Sequence, residues 1–310
     1  MKSIRALLLT VCAALTLSAA LFSSQTSKTS ASAQDLQTRI KAVENGLLPA
    51  VVVKGEGAAG TISDRMAHYR VPGISIAVIN DYKIEWAKGY GQADSSGPVK
   101  VDTRFQAASI SKPVASMATL YFVQEGKLNL DEDVNDKLTS WKVPENEFTK
   151  QKKVTLRDLM SHSAGTTVHG FAGYASDQPV PTLIEVLDGK KPANSEPVRV
   201  QMLPGTKWDY SGGGITIMQQ LVIDVIHKPF PEIMKQTVLD KIGMSHSTYE
   251  QPLPQRWQSL AATGYRSTGK AIEGKWHTYP EMAAAGLWTT PSDLTLFAIE
   301  LSKEYLGQSS

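Results

Sequence analysis

Residues 73–79, Gly-Ile-Ser-Ile-Ala-Val-Ile, alternate along the chain and are rich in β-branched side chains. After a polar turn at Asn80-Asp81, the stretch from Lys83 to Tyr90 alternates in the same way. Such a pair reads as an antiparallel hairpin. Two strands alone do not make a stable sheet, so the hairpin demands partners. The sequence after it offers mostly helices. Ser109 to Gln124 has helical periodicity, with Val114, Met117, Ala118, Tyr121 and Phe122 on one face and Gly126 as its stop. Further helices are expected at 155–161, 182–187, 214–227 and 230–242, and a last one starts at Pro291-Ser292-Asp293. The expected architecture is a mixed α/β (α+β) fold. Residues 34–108 and 281–310 form an antiparallel sheet with flanking helices, and 109–280 form an inserted, mainly helical part. No clear set of strands follows the helices. Either short strands hide in the loops or the sheet is completed beyond Ser310, in which case this form is C-terminally truncated and its sheet incomplete.

Residues 34–72 also read as helical, broken by the Gly/Ala-rich stretch 55–60. The first 33 residues read as a signal peptide. Lys2 and Arg5 precede an apolar stretch from Ala6 to Phe22, and Ala31-Ser32-Ala33 is a small-x-small cleavage pattern. The apolar stretch is short and interrupted for a membrane span, and the mature chain is expected to have none. Cleavage after Ala33 leaves 34–310 as one domain, periplasmic or secreted. The only cysteine, Cys12, lies in the signal, so the mature chain holds no disulfide. The net charge of +2 also belongs there, because the remainder carries 29 basic against 30 acidic residues. That balance argues against nucleic acid or an anionic membrane surface as partner.

Ser109-Ile110-Ser111-Lys112 is the sharpest local feature. On a helix, residues three apart lie one turn apart on one face. An amine at 112 therefore reaches a hydroxyl at 109. A serine hydroxyl is a weak nucleophile until a base takes its proton. A lysine can be that base when burial disfavours its ammonium form. Pro113 suits a first helical turn, which places Ser109 where free N–H groups favour negative charge, its own among them. The pattern alone is weak: chance supplies on the order of one Ser-x-x-Lys in a chain this long. Ser267-Thr268-Gly269-Lys270 is a second match, in a polar turn that reads as a surface loop. A lone N-cap serine is the bland alternative for Ser109.

Gly205 to Gly214 adds a second element: a turn, Tyr210, and a glycine run opening a helix. A phenol near an ammonium ionises more easily and can shuttle a proton. The glycines allow close approach of backbone or substrate. Ser109-x-x-Lys112 followed by Tyr210-Ser211-Gly212 resembles the serine β-lactamase and penicillin-binding superfamily, in its class C, DD-peptidase and esterase branch. The resemblance runs from about Arg70 to Leu301. It includes Gly126–Asp133, Leu159–Gly165, Gly243-Met244-Ser245 and Ala285–Leu294.

The resemblance implies an acyl-enzyme at Ser109, with Lys112 as base or proton relay and Tyr210 transferring a proton to the leaving group and activating water. It places Ser211 and Gly212 at substrate-binding positions. It implies no cofactor and no metal, and a small-molecule or peptide substrate: an ester, a β-lactam or a D-amino-acid peptide. Two departures stand out. The family has Asn where Gly212 stands, and its late Lys- or His-containing triplet ending in Gly is not found before Ser310. The alternative reading is therefore a weak or inactive binding module recognising cell-wall peptides. His162 and His169 lack a third ligand for zinc, and His162 reads as a hydrogen-bonded structural residue. Trp141, Trp208, Trp257, Trp276 and Trp288 read by default as core or pocket wall.

Overall fold

The computed structural model describes residues 34–54 and 60–308. The signal peptide expected over 1–33 lies outside the described residues. The described residues fall into two compact units, the first ending at Val71 and the second beginning at Pro72.

In the first unit a helix, α1, spans 34–45 and α2 spans Ile62–Tyr69. A capping box starts α2: the Thr61 hydroxyl accepts from Asp64 N–H, and the Asp64 carboxylate accepts from Thr61 N–H. Arg70 ends it in the left-handed conformation.

The second unit opens with the hairpin. β1, Gly73–Asn80, pairs antiparallel with β2, Lys83–Asp94, so that Ala77 faces Ala87 and Val78 faces Trp86. The turn falls one residue later than the sequence suggests. Asp81 and Tyr82 both take positive φ, 50° and 57°. Two left-handed residues give a two-residue turn whose twist matches that of the strands. Short strands do hide in the loops. β3, Gly97–Pro98, adds to β2, giving the order β1-β2-β3, and β4, Phe105–Gln106, pairs with β5, Trp288–Thr289. β1 is thus an edge strand among the described residues.

The helical part is built round α8, Gly212–Ile226, which is buried along Gly212–Val222. Its apolar sequence on all sides explains that position. α3, Ser111–Gln124, contributes Val114, Ala118 and Phe122 to the same core. The remaining helices are short: α4, Val134–Lys137; α5, Glu147–Gln151; α6, Leu156–Met160; α7, Leu183–Asp188; α9, Phe230–Met234; α10, Gln255–Gln258; and α11, Met282–Ala285. The helix expected over 230–242 changes form at Lys235–Leu239, a wider π turn that puts Val238 and Leu239 into the core. α12, Pro291–Tyr305, packs on β1 and β2. No helix among the described residues is long and apolar enough to cross a membrane.

One buried carboxylate ties α8 to the loop after α4. Asp224 accepts from the N–H groups of Thr139 (2.7 Å) and Ser140 (2.9 Å), from the Ser140 hydroxyl and from the Gln220 amide (2.8 Å). Burial raises its pKa, but the bonds from Ser140, Thr139 and Gln220 outweigh that and hold it below the ordinary value. Asp224→Ala is expected to cost about 2 kcal/mol, because it removes the acceptor of the buried Gln220 amide and of the Thr139 and Ser140 N–H groups. Urea denaturation checks it. A depressed folded pKa means that this contribution is present above the unfolded aspartate value and lost as pH falls through the folded one. The difference between wild type and variant should therefore shrink in acid.

Candidate active site

Ser109 sits in a 3-10 turn, Ala108–Ile110, that leads into α3. Ala108 takes φ 45°, a left-handed value uncommon for a residue with a Cβ. That twist presents Ser109 to solvent while the next residues turn inward. Backbone held this way needs surrounding support, and Ser111 supplies it. Its buried hydroxyl donates to the Ala108 carbonyl and accepts the Leu287 N–H at 3.0 Å. Its own carbonyl accepts the buried Tyr249 hydroxyl at 2.6 Å. The Ala107 N–H reaches the Leu287 carbonyl at 2.9 Å.

Lys112 lies in the first turn of α3, only 7% exposed. Its Nζ donates to Ser109 Oγ at 3.0 Å and to the Ala284 carbonyl in α11 at 2.7 Å. The carbonyl aims the ammonium, and α11 is held in turn by α8, where Gln219 accepts the Ala283 N–H at 2.8 Å.

Tyr210 comes from the loop before α8, and its hydroxyl donates to Ser109 Oγ at 3.1 Å. The Lys112 ammonium lies 5.0 Å from the centre of its ring. Burial pushes the phenol up. Lys112 and Ser109, which bond its oxygen, and the Lys112 charge more than offset this, so the phenol ionises more readily than an ordinary tyrosine. Hydroxyl, amine and phenol thus share one small space, and protons can pass among them.

Ser211 and Gly212 are placed differently. Ser211 is buried, and its hydroxyl caps α8 by accepting the Gly214 N–H at 3.0 Å while donating to the Thr167 carbonyl at 2.8 Å. That hydroxyl is committed to the fold rather than to the cleft. Gly212 is also buried; a Cβ there would lie 3.0 Å from the Phe171 ring and 3.2 Å from the His169 carbonyl. The place where a longer side chain would begin is therefore already taken. Of the two default readings for the tryptophans, core or pocket wall, Trp208 is not core: it is 66% exposed, edge-on to His162 and beside Tyr210. Ser267–Lys270, the second Ser-x-x-Lys, is an exposed turn closed by the Gly269 N–H on the Arg266 carbonyl.

Three neighbours of the site escaped the sequence reading. The Ala284 carbonyl is main chain and carries no residue signal. Tyr249 reads as an ordinary core aromatic. Glu281, buried just before α11, has both carboxylate oxygens without a hydrogen-bond partner, and burial holds its pKa up to about 7. A cleft runs from Lys112 and His162 between α3 and α12, past Met117, Leu120 and Phe297. No group of three or more His, Cys, Asp or Glu gathers as a metal site among the described residues.

An antiparallel sheet flanked by helices, with this serine, lysine and tyrosine brought together, defines the class of the serine β-lactamases and penicillin-binding proteins. The chain belongs to the Beta-lactamase family, whose sequence profile matches residues 58–309. It is 28% identical over 235 residues to a β-lactamase of Pseudomonas fluorescens, covering 76% of this chain and 61% of that one. It is 25% identical over 239 residues to Protein flp of Staphylococcus aureus, covering 74% and 44%. The chain thus spans less than two thirds of the length of these relatives. Among solved structures it is similar to the octameric penicillin-binding protein homologue from Pyrococcus abyssi, with a TM-score of 0.61 and 25% identity over 80% of this chain and 56% of that one. It shares its fold with the β-lactamase/D-alanine carboxypeptidase from Yersinia pestis, with a TM-score of 0.60 and 18% identity over 75% and 64%.

Proposed function

We propose that this chain is an exported serine hydrolase working through an acyl-enzyme at Ser109. The observation that carries this reading is the convergence on one hydroxyl: Lys112 Nζ at 3.0 Å and Tyr210 Oη at 3.1 Å from Ser109 Oγ. In its unprotonated form, Lys112 takes the Ser109 proton as Oγ bonds to the substrate carbonyl carbon. The carbonyl oxygen takes up the negative charge. As the intermediate collapses, the bond to the leaving group breaks, and the proton from Lys112 reaches that group by way of the Tyr210 phenol. Tyr210 then passes its own proton to the now neutral Lys112, water attacks the acyl carbon, and the phenolate accepts the proton that water loses. Ser109 is restored when its oxygen leaves the acyl carbon and takes a proton back from Lys112, 3.0 Å away. Export rests on the basic start and apolar run of residues 1–33.

The substrate is an ester, a β-lactam or a D-amino-acid peptide. The missing side chain at Gly212 fits an ester that needs no amide contact from that position.

Incubation with a fluorophosphonate followed by peptide mass spectrometry tests the chemistry. The expected adduct is on Ser109 and is prevented by prior acylation with a short p-nitrophenyl ester. A chain that takes no label, or takes it on another serine, is not this enzyme; binding of cell-wall peptides without turnover then describes it. Turnover of the same ester against a chromogenic cephalosporin separates esterase from β-lactamase.

A further inference from the structure

His162 adjoins the site, yet the proposed chemistry does not use it. It follows α6 with φ 56°, a left-handed residue carrying a ring that lies half-buried. Its contacts bracket one residue. The His162 carbonyl accepts the Asp209 N–H at 2.7 Å, and its Nδ1 accepts the Ser211 N–H at 3.3 Å. Between these two grips, its ring lies 4.4 Å from the Tyr210 ring, centre to centre, at 39°. One histidine therefore holds the chain on both sides of Tyr210 and packs against the phenol itself.

The ring can do this only while Nδ1 is bare. A proton there would face the Ser211 N–H, donor against donor. It would also place a second positive charge beside Lys112. We infer that His162 is a positioning residue for Tyr210, whose uncharged ring holds the phenol on Ser109 and whose protonation releases it. The consequence for rate rests on the proposed role of Tyr210; the consequence for geometry does not. The titratable and charged groups on the elements packed round His162 are Lys112 on α3, Arg157 and Asp158 on α6, Lys207, Asp209 and Tyr210 on the loop before α8, and His169, whose Nδ1 bonds the Tyr210 carbonyl and lies 3.9 Å from Asp209. Asp158 is occupied by Thr155 and Ser163. Burial first, and then the charge of Lys112, lower the His162 pKa. The holding state thus prevails at neutral pH and is lost as pH falls through a value below the ordinary histidine range.

Two measurements on the whole chain test this. In the first, 15N NMR of the histidine rings should show His162 with its proton on Nε2 and a bare Nδ1. The Tyr210 ring signals should move with the same midpoint as His162 on acidification. In the second, the rate of fluorophosphonate labelling of Ser109 should fall along that same curve. His162→Phe, which keeps a ring but no acceptor, is expected to lose about tenfold in this rate at neutral pH. His162→Asn, with an amide oxygen near the place of Nδ1 and nothing to protonate, should recover most of that loss and abolish the acid limb. A proton on Nδ1, Tyr210 signals that ignore the His162 titration, or an acid limb unchanged in His162→Asn would overturn the inference. The last result would hand the limb to another group, such as Glu281. A wild-type chain unlabelled at every pH would defeat the acyl-enzyme reading instead, and the NMR result alone would then decide the role of His162.

Discussion

Lys112→Met is expected to slow acylation of Ser109 by about 10³-fold, within the range that a positioned proton-transfer group contributes. The same change should leave the fold about as stable as before. Methionine keeps the length of the side chain in a site only 7% exposed and removes a charge that is costly to bury. Against that gain, the Ala284 carbonyl loses its donor at 2.7 Å, and Ser109 loses one at 3.0 Å. The two effects oppose each other at about 1–3 kcal/mol apiece, and the net change should be within about 1 kcal/mol. Time courses of fluorophosphonate labelling and urea denaturation on the same sample give both numbers. An acylation rate close to wild type would remove Lys112 from the mechanism. A collapsed fold would show that the amine is chiefly structural.

Tyr210→Phe is expected to lower turnover by about 10²–10³-fold. The fold should be unaffected, because the phenol's bond is to Ser109 at 3.1 Å and the ring itself is retained against His162. In the proposed mechanism the ionised phenol draws the proton from water, so the larger loss should fall on deacylation. The phenol's pKa is lowered, so the wild-type deacylation rate should climb with pH about a midpoint below the ordinary tyrosine value of about 10. In Tyr210→Phe that climb should vanish. Single-turnover decay of a chromogenic acyl-enzyme across pH measures it. A climb that persists in the variant would assign the base to another group.

The parts of this molecule that could be read from its residues are those whose causes are local. The hairpin follows from alternation over a few residues, and the helices at 156–160, 183–188 and 212–226 follow from periodicity and caps such as Thr155 and Thr182. The spacing from Ser109 to Lys112 needed only the pitch of a helix. The rest depends on contacts between distant segments. β4 and β5 are two residues each and exist because Phe105 meets Thr289 across the fold. The left-handed Ala108 has no signature, since alanine in a helical stretch predicts a helix; the bonds through Ser111 and Leu287 impose the twist. Ser211 looked like a candidate for the cleft because it follows Tyr210, and it became a helix cap because Thr167 and Gly214 claimed its hydroxyl. Between core and pocket wall, the two readings its residue type left open for Trp208, only contacts with His162 and Tyr210 decide.

The bonds that fix the nucleophile reach forward along the chain: from Ser111 to Tyr249 and Leu287, and from Lys112 to Ala284. A ribosome delivers residues in order, and the first three quarters of this polypeptide emerge without those anchors. Serine and lysine are thus made early and brought into their final geometry late. On the proposed function, a nascent chain would carry its serine and lysine without the arrangement that acylation needs until the segment near residue 287 docks.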